Sequence, residues 1–343
     1  MSDLTTATAP APAPATAPAP SHAPARPAAD PPAAARERDL GLDSLRILLA
    51  LLVVAIHTGA LADVGLWPQF VLVQGLARIA VPTFFVLSGF YFERATRAGP
   101  GRWLGHALSL YLLWMLAYLP QWWGAERDLG DVAYSLWFGY FHLWYLVAMA
   151  QGGLMLWLLR GMGTAPLAAL ASAIAVAAWI LQHEMMADAI PTDPDRVRNA
   201  VMFAFPYLAL GLCAGRLRPL FPVHRGAMRA ALALAAVAFA VEVVWTGRAL
   251  GPRVGLDVHL SLIALCPLLV AVISDAGWRA PARGLAGRLA GIATGIYLIH
   301  PWLIELVRDL GDPAPTLRWI AVAALSLPAA ALLVRLNRRL PLL

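Results

Sequence analysis

Leu42–Gly59 reads LDSLRILLALLVVAIHTG, and it decides the fold. It is almost wholly apolar, and its 18 residues would rise about 27 Å as a helix, close to the thickness of a bilayer's hydrocarbon core. Yet it carries Asp43, Arg46 and His57. A bilayer penalises ionisable side chains, so a span with three of them is a functional candidate. Arg46 and His57 are eleven residues apart, about three turns. They therefore share one helix face, separated by about 16 Å along the axis. Asp43 is three residues before Arg46 and can pair with it. This face offers an anion-binding cation at one end and an acid/base imidazole deeper in. The alternatives are a snorkelling Arg46 and a His57 used in an interhelical hydrogen bond.

The next apolar run contains RIAVPTFFVLSGFYF, Arg78–Phe92. Arg78 lies well inside it and needs a polar cavity or a partner. Pro82 frees a backbone carbonyl, and Ser88-Gly89 permits close helix approach. A kinked, tightly packed helix with Arg78 in a structural pair is the alternative. His142–Leu146 reads HLWYL, an aromatic anchor or part of a site through His142 and Tyr145. Gly295–Glu305 reads GIYLIHPWLIE. Tyr297 and His300 are three apart on one face, and Pro301 disturbs the helix ladder beside them. Glu242 stands alone as a structural partner or end residue, and His183, Glu184, Arg196 and Arg198 fit a solvated loop, with contact to an acceptor on the outer face as the alternative. His22, His106, His224 and His259 receive no role.

The rest of the chain agrees with a membrane setting. Of 343 residues, 60% are hydrophobic and 13% charged, against roughly 25% charged in soluble domains. Mean hydropathy is +0.67. Ten apolar segments of roughly spanning length follow one another: 43–62, 69–93, 103–123, 141–159, 165–182, 199–215, 230–247, 256–274, 289–307 and 319–334. The expected fold is all-α and polytopic, with about ten transmembrane helices. Seventeen arginines fall on one side of these segments and seven on the other, which places both termini in the cytoplasm. Residues 1–35, an Ala/Pro tract, should be a disordered cytoplasmic tail, and 36–343 the membrane domain. All 26 basic residues are arginine. The missing lysine excludes Schiff-base and P-loop chemistry, and no lysine-rich nucleic-acid patch exists. Cys213 and Cys266 lie in apolar runs and do not make a zinc motif. No internal repeat is visible, and the Pro82 break has no evident counterpart in the second half, which weakens a transporter or flippase reading.

D-x-x-R-x10-H in the first span, then R-x3-P-x-FFVLSGF in the second, resembles the acyltransferase-3 family of integral-membrane acyltransferases. HLWYL and YLIH reinforce the resemblance, which covers both halves of the chain. It implies transfer of an acyl group, commonly acetyl, from cytoplasmic acyl-CoA as co-substrate to a hydroxyl. Acceptors would be sugars, surface or lipid-linked glycans, or small molecules, in a bacterial inner membrane, with no metal and no nucleic acid. Arg46 and His57 would be the essential pair of the first helix, and Arg78 and Ser88 part of the second motif. On this reading Arg46, steadied by Asp43, holds acyl-CoA, and His57 is the general base. Arg78, Ser88, His142, Tyr145, Tyr297 and His300 bind donor or acceptor. A covalent acyl-histidine step fits the same residues. The hydrolase-like domain that some relatives carry is not expected here.

Overall fold

The protein was analysed as a computed structural model that describes residues 37–124, 128–281, 288–337 and 343. The tail expected over 1–35 lies outside the described residues. A short antiparallel pair, β1 (Glu37–Asp39) with β2 (Arg279–Pro281), sits ahead of the first helix. α1 (Leu40–Thr58) starts where the Asp39 carboxylate accepts the Leu42 amide at 3.1 Å, and it stops at Gly59, whose left-handed φ of +66° favours a residue without a side chain.

α2 (Leu66–Gln69) leads through a π-helical stretch, Phe70–Gly75, and a 3-10 turn, Leu76–Ile79, into α3 (Ala80–Phe90). The irregularity falls just ahead of Pro82, which cannot donate to the Arg78 carbonyl. α4 (Phe92–Ala95), α5 (Gly101–Ala117), α6 (Leu119–Trp122) and α7 (Leu129–Phe138) follow, the last begun by a reciprocal Asp128/Asp131 capping box. Then come α8 (Trp144–Leu159) and α9 (Thr164–Met186). A second π-helical stretch, Ala200–Ala204, opens α10 (Phe205–Leu217), with Pro206 in its first turn. The chain ends with α11 (Arg225–Ala249), α12 (Leu262–Asp275), α13 (Leu289–Asp309) and α14 (Pro315–Leu336).

The fold is helical and polytopic. Among the described residues, eight helical stretches are long and apolar enough to cross a bilayer, and each matches one of the ten expected segments. The other two segments are shorter than expected. Segment 103–123 divides into the 17-residue α5 and the short α6. Segment 256–274 is helical only from Leu262, over 14 residues, because its first part runs as non-helical chain with side-chain partners of its own. The Pro82 break also has a counterpart after all, in the π-helical start of α10 ahead of Pro206.

These two broken spans form the centre. The Ala200–Leu220 span is 72% buried, whereas α11 and α14 are 17% buried and form the rim. α3 and α10 meet backbone to backbone. A Cβ on Gly89 would lie 2.0 Å from the Leu208 carbonyl oxygen, and one on Gly211 would lie 2.1 Å from that of Val86. Small residues let membrane helices approach this closely, since packing rather than the hydrophobic effect holds them together. Gly211→Ala should therefore push α10 off α3 and cost about 1–3 kcal/mol, read as a lowered unfolding midpoint in detergent. An unchanged midpoint would contradict this packing.

Candidate active site

Three parts of the chain converge beside the C-terminal end of α1. α13 brings Tyr297 and His300, and Pro301 sets their chemistry. Proline has no N–H, so the Tyr297 carbonyl loses its helical donor. His300 Nδ1 takes the place of that donor at 2.7 Å. A carbonyl only accepts, so Nδ1 carries the hydrogen and Nε2 of the neutral ring keeps a lone pair. His300 is fully buried, and its Nε2 has no partner among the described residues. The loop before α8 brings Phe141 and His142. Gly139 there has a φ of +86°, and a Cβ would meet Trp144 backbone at 2.6 Å. Phe141 itself adopts a left-handed φ of +48°, an uncommon conformation for an aromatic residue. It puts its ring 4.5 Å from that of His57.

His57 faces a cavity of about 220 Å³ with Arg78, Pro82, His142, Arg198, Asp257 and Tyr297 in its wall. The imidazoles form a cluster behind that wall. His57 and His300 have ring centres 5.1 Å apart, and His300 and His142 are 5.2 Å apart. The Tyr297 hydroxyl donates to the His142 carbonyl. At the rim, the Tyr134 hydroxyl donates to Asp195, and this carboxylate pushes the phenol up to about 12.

A second cavity of about 200 Å³ lies toward the N-terminal end of α1. Its wall includes Arg46, Phe84, Ser88, His106, Tyr145 and Tyr297. Arg46 Nη1 bonds Asp43 at 2.5 Å, and its guanidinium lies 6.0 Å from the centre of the Tyr91 ring. The Ser88 hydroxyl donates to the Phe84 carbonyl at 3.0 Å. Tyr297 lines both cavities. It packs in an aromatic layer with Tyr145 at 5.4 Å and Phe84 at 6.4 Å. The residues singled out from sequence thus divide into two groups that meet at Tyr297. Asp43 and His300 line neither cavity: Asp43 pairs with Arg46, and His300 lies against His57.

The sequence reading missed the scaffold around Arg78. Gln74 Oε1 accepts from Arg78 Nη2 at 2.6 Å and Nε at 3.1 Å, and Asp257 accepts from Arg78 Nη1 at 2.7 Å. The other Asp257 oxygen accepts from Arg198 Nε at 2.8 Å. One carboxylate therefore bridges two guanidiniums. Asp257 sits in the non-helical run before α12. That run needs partners for its backbone, and Gln182 accepts the amides of Asp257 and Val258 at 2.7 and 2.9 Å while donating to the Val258 carbonyl. Glu242, expected as a structural partner or end residue, is a partner: it accepts the amides of Leu260 and Ser261. His259 is buried and bonds the Gln74 carbonyl at 2.7 Å. A usable sequence signal did exist, since Gln74 is four residues before Arg78 and Gln182 interrupts an apolar span. His106, given no role from sequence, reaches the Arg46 cavity.

Gln182→Leu would strand three buried backbone groups and should cost at least about 3 kcal/mol. Thermal unfolding in detergent reads this, with exposed Glu184→Gln as a control expected to stay within about 0.5 kcal/mol. Equal midpoints for the two variants would remove Gln182 from the scaffold.

Residues 39–335 match the family described as an acyltransferase domain, acyltransferase-3. Among curated proteins, a serine/alanine racemase of Enterococcus gallinarum is 33% identical over 136 residues, covering 35% of this chain and 19% of that protein. An amino-acid racemase of Enterococcus faecalis is 31% identical over 129 residues, covering 35% and 18%. Another amino-acid racemase of Enterococcus faecalis is 22% identical over 345 residues, covering 89% of this chain and 47% of that protein. The chain therefore spans about a fifth of the length of the first two relatives and about half of the third. No solved structure matches it. With nearly the whole helical domain matched, the chain belongs to the acyltransferase-3 family of membrane proteins.

Proposed function

We propose that the protein is a membrane O-acyltransferase that moves an acyl group, acetyl in the first instance, from acyl-CoA to a hydroxyl. One observation carries the reading: within a family-matched chain, two cavities meet at Tyr297, one holding Arg46 and the other His57. Acyl-CoA enters the Arg46 cavity. Arg46 binds its anionic groups with the planar fork that Asp43 orients. The thioester reaches past the Tyr297–Tyr145–Phe84 layer toward His57. The acceptor hydroxyl occupies the His57 cavity.

His57 takes the hydroxyl proton as the oxygen attacks the thioester carbonyl. The C–O bond forms, the C–S bond breaks, and the CoA sulfur leaves as thiolate and takes up a proton. His300, whose ring centre lies 5.1 Å from that of His57 and whose Nε2 lone pair is unused, steadies the charge that His57 gains, and the Arg78 guanidinium, fixed by Gln74 and Asp257, offers its remaining N–H groups to the oxyanion. The donor lies on the cytoplasmic side and the acceptor, a sugar, glycan or small hydroxyl compound, toward the other face of a bacterial inner membrane.

The relatives' names give amino-acid racemisation. This chain has no lysine for an imine, so racemisation through a Schiff base is not available to its residues. Translocation of a glycan or lipid is the second reading, and the paired broken spans favour it. Uptake with no covalent product would support that reading.

Radiolabel transfer from acetyl-CoA in inside-out vesicles tests the proposal. His57→Ala should fall about 10²- to 10⁴-fold while inserting normally. Arg46→Lys should raise KM for acetyl-CoA, since an ammonium lacks the planar fork. Full transfer by a well-expressed His57→Ala protein would overturn the assignment of the base.

A further inference from the structure

Among the described residues Arg198 uses one of its donors. Nε bonds Asp257 at 2.8 Å, and its two terminal amino groups have no hydrogen-bond partner among the described residues. The side chain is 35% exposed and lines the His57 cavity. The other charged groups there have roles of their own. Arg78 is held by Gln74 and Asp257, and both Asp257 oxygens are taken by arginine. Asp195 accepts the Tyr134 hydroxyl and makes no ion pair with an arginine among the described residues. The wall thus holds two guanidiniums and two carboxylates, with Asp257 bridged by both arginines and Asp195 engaged by the Tyr134 hydroxyl, and the terminal amino groups of Arg198 are left as donors facing the cavity. Val53, Ile56, Val81 and Phe203 give the same cavity an apolar wall. Terminal guanidinium groups in such a place bind a planar or tetrahedral anion through two parallel hydrogen bonds.

The cavity also limits what can enter. Its volume of about 220 Å³ is below the roughly 300–1,000 Å³ of drug-sized sites. It takes one sugar ring or a small hydroxy acid. A third cavity, of about 290 Å³, adjoins it at Arg198 and Asp257, so a longer acceptor can continue past the guanidinium.

We propose that the His57 cavity is an anion-selective acceptor site, in which the terminal amino groups of Arg198 bind a carboxylate or phosphate carried by the acceptor beside the hydroxyl that faces His57. This rests on the acyl-transfer reading for the word acceptor, but the anion site stands on its own geometry. Asp257 is a positioning residue here, because it sets the guanidinium plane and leaves the outer edge of the fork to the ligand.

The test is ligand-induced thermal stabilisation of the purified full chain in detergent. The probes are D-glucuronate, glucose 6-phosphate and D-glucose, at matched ionic strength. At least one anion should bind about 10- to 100-fold more tightly than glucose. Which one does so separates carboxylate from phosphate. Arg198→Gln should lose this preference, and Arg198→Lys should retain part of it while unfolding at the wild-type midpoint. Equal stabilisation by all three probes, or by none, overturns the proposal on the wild-type protein alone. An unchanged preference in Arg198→Gln overturns it as well.

Label transfer from acetyl-CoA to the same probes keeps the two ideas apart. Arg198-dependent binding without transfer upholds the anion site and counts against acyl transfer. Transfer to glucose as readily as to either anion upholds acyl transfer and overturns the anion site.

Discussion

The buried chain between α11 and α12 leaves the helical ladder, and a low-dielectric interior does not tolerate unpaired backbone. The amides of Leu256, Asp257, Val258, Leu260 and Ser261 therefore take partners from elsewhere. Gln74, Gln182 and Glu242 supply them, from three different spans. This one requirement fixes the position of Asp257, and Asp257 fixes Arg78 and Arg198. Without that carboxylate two guanidiniums would stand close together with nothing to separate their charge. The scaffold and the cavity wall are thus one network, and a change to a glutamine far from His57 is felt at the arginine that faces it.

The opposite wall depends on proline rather than on polar side chains. Pro301 releases the Tyr297 carbonyl, His300 takes it, and the bond sets which nitrogen of His300 holds the hydrogen. Pro82 and Pro206 act differently. Each falls early in its α-helix, where missing amides cost least, and each is preceded by π-helical backbone. Arg78 lies in the 3-10 turn just ahead of α3, and Arg198 lies two residues ahead of the second π-helical stretch. The glycine contacts between α3 and α10 then hold the two spans in register.

Much of this was legible in the sequence, for a definite reason. Asp43, Arg46 and His57 lie on one helix, and so do Tyr297 and His300, so helical spacing alone relates them. Pro301 beside His300 announced its own effect. Relations across long separations were not legible. Asp257 meets Arg78 from 179 residues away, and Gln182 meets Val258 from 76. Segment 256–274 misled for the same reason, since its apolar composition reads as helix and only its distant partners let it leave the helix. Glu242 gave no motif because its partners, the Leu260 and Ser261 amides, the Ser261 hydroxyl and the Trp179 indole, lie far from it along the chain. His106 gave no signal because α5 brings it to a cavity whose other walls come from α1, α3, α8 and α13.

The all-arginine composition takes on a local meaning at this network. Around most of the chain either cation would serve; Arg308, half exposed beside Glu305 at 3.5 Å, is such a place. Arg78 is different. Its Nε and Nη2 both reach one oxygen of Gln74 while Nη1 reaches Asp257, and these three directions lie in a single plane. An ammonium is a point charge without a plane and could satisfy one of those acceptors well, but not both. A lysine at 78 would leave Gln74 free to turn, and Gln74 also holds the Leu256 amide. The guanidinium is therefore required by the backbone of the α11–α12 connection as much as by any ligand. The charge that faces the cavity follows from how that connection is kept folded inside the protein.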